Sequence, residues 1–385
     1  MNILQVFDVF SPYESGTGVL LYQLSKALAE RGHKVTIICG DWKIDQSYID
    51  SLKGVEVLPF HIQCKPFGFP IMPSMVSWVR DNLNKFDIIH QHSYRNFANI
   101  IIRHYAVKYH IPYILDTHGS FPRIGKEQLK WIFDTSIGNS VVRDSCKVVA
   151  ETNVNIKDYL KGSIPQEKIV LLPPPPCNVE DFDKLPEKGL FRRKYHLEDR
   201  RIVIFLGRIH WIKGLRFLVD TFSELTKDRN DVVLVIVGND DGYKLVLEGM
   251  IDRLRLIGKV LFTGYLGGND KLSALMDADV FVQTSRFESG VGAPIEAVLC
   301  GTPIIVTRDT GSGEDVARMD AGYLTDFGDI SGFKKQIEFI LTHPFETKGK
   351  TIKAQTYIRT NLSMKAKVKE YESLYEVCIG KNKQD

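Results

Sequence analysis

The sequence predicts an α/β protein of two doubly wound parallel-sheet domains, and three observations carry that reading. Short β-rich runs alternate with helical stretches almost without interruption, a pattern that builds parallel sheets covered by helices. A chain of 385 residues is too long for one ordinary core and suggests two of similar size. Between the two sets of strands lies Pro173-Pro174-Pro175-Pro176, which is stiff, cannot continue a strand and marks the crossing.

In the first half the β-rich runs are Ile3 to Phe7, Val35 to Cys39, Val55 to Phe60, Ile88 to Gln91, Tyr113 to Thr117, Lys147 to Ala150 and Ile169 to Leu172. Amphipathic helices fall between most of them, such as Val19 to Arg31, where apolar residues recur at helical spacing. The pattern restarts after Tyr195 with strands at Ile202 to Leu206, Val232 to Val237, Val260 to Thr263, Val280 to Gln283, Ile304 to Thr307 and Gly322 to Leu324. The tail from Lys365 to Ile379 puts Val368, Tyr371, Leu374 and Tyr375 on one face of a final helix. The expected domains are residues 1–174, with 365–385 packing back on them, and 175–364. Two such halves facing one another leave a cleft lined by strand C-terminal ends, where ligands of these sheets bind.

Composition sets limits on function. Hydrophobic residues at 44% and charged residues at 25% are those of a soluble globular protein. A net charge of +3, with no basic tail, argues against nucleic acid as a partner. The six cysteines, Cys39, Cys64, Cys146, Cys177, Cys300 and Cys378, form no C-x-x-C pair and read as reduced thiols of a cytoplasmic protein. Met1 runs directly into a strand, leaving no room for a signal peptide. No apolar run approaches the roughly 18 residues needed to span a bilayer, so any membrane contact is expected to be peripheral, at the inner face.

Two stretches carry chemistry. In the first, the strand ending at Gln283 is followed by Phe287-Glu288-Ser289-Gly290-Val291-Gly292-Ala293-Pro294-Ile295-Glu296, with a crossover helix expected from Pro294 to Cys300. Pro294 suits the first helical turn, and the small residues before it let the backbone approach a ligand whose oxygens meet free N–H groups. Glu288 on the loop and Glu296, expected in the first turn, can accept hydrogen bonds from hydroxyl groups. The second stretch is Phe205-Leu206-Gly207-Arg208-Ile209-His210-Trp211-Ile212-Lys213-Gly214, at the end of the first strand of its domain. Arg208 and Lys213 there suit a pyrophosphate, and would neutralise charge as a nucleoside diphosphate departs. Hydroxyls together with phosphate point to a nucleotide sugar.

The motif G-R-x(4)-K-G from Gly207 to Gly214, E-x(7)-E from Glu288 to Glu296 and C-G-T-P from Cys300 to Pro303 resemble glycosyltransferase family 4, the retaining GT-B enzymes of glycosyl transferases group 1. The likeness extends to Gly16-Thr17-Gly18 before a helix, to Asp87 through His92, to Thr117-His118-Gly119 and to Gly311 through Val316. It implies that Glu296 holds the nucleoside ribose, and that Glu288 with the Ser289, Gly290, Val291 and Gly292 backbone contacts the donor sugar. It further implies that Arg208 and Lys213 bind the diphosphate under the Gly16 to Gly18 loop, with Gly264, Tyr265 and Leu266 beside the base. His118 would lie near the reacting carbon. Catalytic roles thus fall to His118, Arg208, Lys213 and Glu288. No Asp-x-Asp pair of the metal-dependent transferase kind is recognised, which agrees with cationic side chains replacing an essential metal, so no metal or other cofactor is expected.

The reaction implied is transfer of a hexose from a nucleoside diphosphate to an acceptor hydroxyl, on a glycan or a lipid-linked acceptor, with retention. A nucleotide-sugar epimerase or hydrolase on the same fold, which would turn over donor without acceptor, is the alternative. A non-catalytic scaffold is disfavoured by the four charged residues, and a nicotinamide enzyme by the lack of G-x-G-x-x-G after the first strand. Three departures from the family pattern bear on specificity: Gly290-Val291 for Phe-Gly, Pro174-Pro175-Pro176 for Pro-Asn-Gly, and Ser15 for a glycine. His90 and His92 suit a structural or acceptor-side role, with a core role favoured for His90. Pro66 to Pro73 with Trp78, and the cations Arg103, Lys108, Arg123, Lys126 and Lys130, read first as aromatics packed on their own domain and charges in solvent; a membrane face for a lipid-linked acceptor is the reading placed just behind.

Overall fold

Uninterrupted apolar runs such as Val232–Val237 are buried along their whole length, as strands covered on both faces must be. The computed structural model describes residues 1–12, 16–175, 177–288 and 292–382. Each strand expected from the sequence is present, with ends displaced by at most two residues. The chain divides into two compact units, Met1–Pro175 with Met364–Asp385, and Pro176–Ser363.

In the first unit the strands are β1 (Asn2–Val9), β2 (Lys34–Gly40), β3 (Val55–Phe60), β4 (Ile88–His92), β5 (Tyr113–Asp116), β6 (Lys147–Ala150) and β7 (Ile169–Leu171). They form one parallel sheet in the order β3-β2-β1-β4-β5-β6-β7. Alternate residues of β1 enter cores on opposite faces: Leu4 and Val6 on one, Ile3 on the other. The strand order reverses between β1 and β4, so a crevice opens at the carboxyl ends of these two strands.

The second unit repeats the plan with β8 (Arg201–Leu206), β9 (Val232–Val237), β10 (Val260–Gly264), β11 (Val280–Gln283), β12 (Ile304–Thr307) and β13 (Tyr323–Thr325). Their order is β10-β9-β8-β11-β12-β13, again parallel. Ile202 and Ile204 of β8 pack in one core, Val203 and Phe205 in the other. The reversal here lies between β8 and β11. The two charged stretches singled out in the sequence leave the sheet at those two strand ends.

The final helix, Met364–Asn382, packs on the first unit: Val368, Tyr371, Leu374 and Tyr375 join Ile3, Leu24, Val35, Ile88 and Ile114 in one core. Its outer edge is fixed by Glu372, whose Oε1 accepts from Arg31 Nε at 2.6 Å and lies 2.8 Å from His33 Nε2. The hydrogen bond from Arg31, against a smaller opposing effect of burial, holds the Glu372 carboxyl below its usual range. A group with a depressed folded pKa stabilises above its unfolded pKa and loses that contribution as pH falls through the folded one. Glu372→Gln is therefore expected to cost about 1 kcal/mol at pH 7 in urea unfolding, Arg31 being partly solvent-screened. The difference should shrink only as pH falls below the ordinary glutamate range, through the lowered Glu372 pKa.

One local expectation is corrected. The crossover helix is Gly292–Leu299, so Pro294 is its third residue and Glu296 lies in the second turn rather than the first. Trp78 packs on its own domain: it lies on the helix Pro73–Asn82 with its ring 5.9 Å from Phe60 and 6.2 Å from Phe86. Phe69 of the stretch 66–73 packs at 6.0 Å from Phe133, and only Phe67 among these three aromatics stays out, 77% exposed. All six cysteines are free thiols; Cys64 is exposed, Cys146 half-buried and the other four buried.

Candidate active site

At the end of β8 the chain continues beside β9, with Gly207 N–H donating to Val237 O at 2.9 Å and Ile209 N–H to Asn239 O at 2.8 Å. It then makes a single tight turn, Trp211–Lys213, in which His210 Nδ1 accepts from Ile212 N–H. Gly214 follows with φ +66°, and a Cβ there would stand 1.9 Å from Thr284 O, so only glycine lets this loop rest on the segment after β11. Thr284 Oγ1 donates to Lys213 O at 3.1 Å and ties the two segments together.

That contact delivers Lys213 to Glu288. Lys213 Nζ donates to both carboxylate oxygens, at 2.5 and 2.7 Å, with the side chains 18% and 15% exposed. Gln283 Nε2 donates to the same carboxylate at 3.4 Å, while the buried Gln283 Oε1 accepts no hydrogen bond from the described residues. Gly311 N–H donates to Glu288 O at 2.7 Å, anchoring the loop to the helix Gly311–Met319. The result is a half-buried ion pair at the strand-order reversal, beside a buried amide oxygen with no hydrogen-bond donor among the described residues.

The other expected residues of this unit are placed differently. Arg208 lies at the rim, 62% exposed, donating to Asp241 Oδ2 at 2.5 Å. Glu296 binds Lys271 of the helix Gly268–Asp277, at 2.9 and 2.8 Å to its two oxygens. Burial opposes the Lys271 charge, but attraction to Glu296 and their hydrogen bond prevail and hold its pKa above the ordinary lysine value. Gly264 ends β10 with φ +72°, Tyr265 is 46% exposed and Leu266 is buried. Ser289, Gly290 and Val291 lie outside the described residues. In the first unit Gly16 opens the helix Gly16–Glu30, and a Cβ on Gly18 would meet Ser11 O at 3.0 Å.

His118 lies just past β5, in a turn where it and Gly119 both have positive φ, 45° and 72°. Asp116 Oδ1 accepts from His118 N–H at 3.2 Å and steadies the turn. Around the ring the contacts form a chain. Nδ1 lies 2.7 Å from Glu151 Oε1, and Nε2 lies 2.8 Å from His92 Nδ1. His92 Nε2 lies 2.8 Å from Gln5 Oε1, Gln5 Nε2 donates to Tyr375 OH at 3.3 Å, and that hydroxyl lies 2.9 Å from His90 Nδ1.

The acceptors fix the protons. A carboxylate and an amide oxygen accept only, so His118 Nδ1 and His92 Nε2 both carry hydrogen. Burial, reinforced by the neighbouring histidines, lowers the pKa of His92 well below its ordinary value, so His92 is neutral and its Nδ1 accepts. His118 Nε2 must then donate, which makes His118 an imidazolium. Burial opposes its charge, yet Asp116 and the Glu151 hydrogen bond outweigh that and raise its pKa to about 9. Asp116 itself is pushed up to about 7, by burial first. Among the described residues, Asp116, His118 and Glu151 are the one group of this kind whose ligand atoms approach closely enough, within 4.8 Å, to hold a metal ion.

Glu151, His92, Gln283 and Lys271 were not singled out as site residues by the sequence reading, though His92 was weighed for an acceptor-side role. The available signal was positional: Glu151 immediately follows β6 and Gln283 ends β11, both polar residues at carboxyl ends of apolar strands.

Two parallel α/β units with these strand orders are the GT-B fold of the glycosyltransferases. Residues 187–357 match the family described as Glycosyl transferases group 1, and residues 15–175 match Glycosyltransferase Family 4. The chain belongs to this glycosyltransferase family. It is 28% identical over 204 residues to YtcC of Bacillus subtilis (strain 168), a match spanning half of each protein. It is 24% identical over 391 residues, 94% of each chain, to N-acetyl-alpha-D-glucosaminyl L-malate synthase of Bacillus anthracis. Among solved structures, Anabaena HepE in complex with UDP and glucose superimposes with a TM-score of 0.82 at 18% identity, covering 98% of this chain and all of that one.

Proposed function

We propose that this glycosyltransferase moves a hexose from a nucleoside diphosphate to an acceptor hydroxyl, on a glycan or a lipid-linked acceptor, with retention of configuration. The observation that carries the reading is the Lys213–Glu288 ion pair at the β8/β11 reversal, with Gln283 Oε1 unpartnered beside it. Lys213 is the point charge for the departing diphosphate, and Arg208 gives a second cation at the rim. Glu288 and Gln283 Oε1 accept from donor-sugar hydroxyls, and Glu296, steadied by Lys271, accepts from the ribose. Leaving-group charge is neutralised by these fixed cations, so no essential metal is invoked. Retention fits a front-face attack in which the departing phosphate takes the acceptor's proton.

The name of the Bacillus anthracis relative supports N-acetylglucosamine as the first donor sugar to test. Isothermal titration against UDP-, GDP- and ADP-sugars is expected to give one nucleotide sugar bound in the micromolar range, with a loss of affinity in Lys213→Ala smaller than its loss of turnover. Transfer should continue with EDTA present. Donor consumption that is equally fast with and without an acceptor would replace transfer by hydrolysis or epimerisation.

A further inference from the structure

The first unit carries an exposed apolar face that the sugar-transfer reading leaves unused. It lies on the helical segment made of Glu127–Phe133, the wide π turn Asp134–Gly138 and Asn139–Asp144. Leu129 is 44% exposed, Trp131 and Ile132 54% each, and Ile137 37%. Phe67, 77% exposed, adjoins them, because Lys126 Nζ donates to Phe67 O at 2.8 Å and the Phe69 ring packs on Phe133. Large apolar side chains grouped this way on a surface mark an interaction site rather than the scattered exposure every protein shows.

The face is held rigidly from beneath. Asp134, buried, takes both nitrogens of Arg95 at 2.8 Å and Arg123 Nε at 2.7 Å. Gly138 lies so close to the core that a Cβ there would meet Tyr94 OH at 2.7 Å. The outward hydroxyls are turned back on the helix, Thr135 Oγ1 donating to Trp131 O at 2.9 Å and Ser136 Oγ to Ile132 O at 2.7 Å. The face therefore offers little but hydrocarbon and indole.

Its border is basic. Stretches 65–69 and 123–137 contain Lys65, Arg123, Lys126 and Lys130 against Glu127 and Asp134; with Arg123 and Asp134 paired to one another, Lys65, Lys126 and Lys130 face the single acid Glu127. Lys126 and Lys130 donate to backbone carbonyls, those of Phe67 and Ile124, and no ion pair to either is found among the described residues; Lys126 is exposed and Lys130 half-buried. A helix with an apolar face carrying tryptophan and a lysine rim fits an anionic bilayer surface, with hydrocarbon in the acyl boundary and ammonium groups among the phosphates. No helix among the described residues is long and apolar enough to cross a membrane.

We infer that the face formed by Phe67, Leu129, Trp131, Ile132 and Ile137, bordered by Lys126 and Lys130, docks this protein on an anionic lipid surface. The inference deepens the lipid-linked acceptor reading above and rests on that reading for its purpose, though not for the binding itself. It also changes the apolar part of the membrane face weighed from the sequence, from the Pro66–Pro73 loop with Trp78 to this helix with Phe67, while keeping Lys126 and Lys130.

The test is sedimentation of the full chain with vesicles, without donor or acceptor, so that its outcome is independent of catalysis. Vesicles of 70% phosphatidylcholine and 30% phosphatidylglycerol, by composition of the assay, are expected to bind the protein at least about tenfold more tightly than phosphatidylcholine alone, and less at high salt. Trp131→Ser with Ile132→Ser should lower that binding about tenfold or more, as should Lys126→Glu with Lys130→Glu. The Trp131/Ile132 variant should melt like the wild type, because those two side chains are more than half exposed, and it is the deciding one, since the lysine changes also remove the bonds to Phe67 O and Ile124 O. Absence of wild-type binding to the anionic vesicles overturns the inference. So does unchanged binding by the Trp131/Ile132 variant, or a wild-type dimer that this variant makes monomeric in light scattering while no lipid binds. Loss of donor turnover with vesicle binding intact would instead remove the transfer reading and leave the docking face standing.

Discussion

Lys213→Ala is expected to lower the turnover number of sugar transfer by about a hundredfold to a thousandfold, the usual cost of removing one preorganised group that stabilises developing charge. The ammonium is held at a fixed place by both oxygens of Glu288 and by a loop that only Gly214 allows to sit against Thr284. It therefore pays no reorganisation when the sugar–phosphate bond breaks and negative charge grows on the diphosphate. An interaction stronger in the transition state than in the bound donor acts on kcat more than on KM.

The pattern across variants is as informative as the single value. Arg208 is 62% exposed and paired with Asp241, so Arg208→Ala should act mainly on donor KM. Its change should stay within about tenfold, as for a rim charge. Lys213→Arg keeps the charge but cannot meet the carboxylate as a compact point, and should fall between wild type and alanine. Melting curves must accompany the kinetics, since alanine leaves Glu288 with only the long Gln283 contact. Folded Lys213→Ala with turnover near wild type would remove the assignment.

What the sequence made legible and what it hid have separate physical causes. Strands such as β9 and β12 are bounded as expected because parallel strands under helices are apolar throughout, and that composition is local. The loop cations and Glu288 were legible as residues because strand ends in such sheets carry the ligand groups. Their pairing was not. Lys213 and Glu288 are 75 residues apart and meet because β8 lies beside β11, a neighbour relation no local pattern records. The partners of Trp78 were hidden for the same reason: its covering rings come from β3 and from Phe86, outside its own stretch. Glu151 escaped attention because it is one acid after an ordinary apolar strand, and its meaning depends on β6 lying next to β5 and on the turn that carries His118.

Glu151→Gln is expected to remove much of a pH-dependent stabilisation that acts between pH 6.5 and about 9. In the unfolded chain His118 titrates near 6.5, whereas in the folded protein it is raised to about 9. The folded state thus keeps a proton that the unfolded chain releases, so the contribution is complete below 6.5 and is lost as pH rises through 9. At about 1.4 kcal/mol per pKa unit, a shift of this size corresponds to about 3 kcal/mol, shared between Asp116 and Glu151. Glutamine keeps an oxygen for Nδ1–H and removes the charge, so the geometry survives and the attraction does not.

Other groups titrate nearby and must be separated. Asp116, raised to about 7, has largely finished by the middle of the window, and His90 and His92, lowered by burial, contribute only below it. Cys146 opposes His118: the Cys378 hydrogen bond lowers its thiol to about 7, so it adds stability as pH rises toward 9. The quantity to measure is therefore the difference between wild type and Glu151→Gln in urea unfolding at pH 6.5, 7.5, 8.5 and 9.5, in which the Cys146 contribution cancels. That difference should be largest at pH 6.5 and shrink steadily. A difference that stays constant across the series would mean that His118 is neutral in the folded protein, and that His92 Nδ1 carries the proton between the two rings.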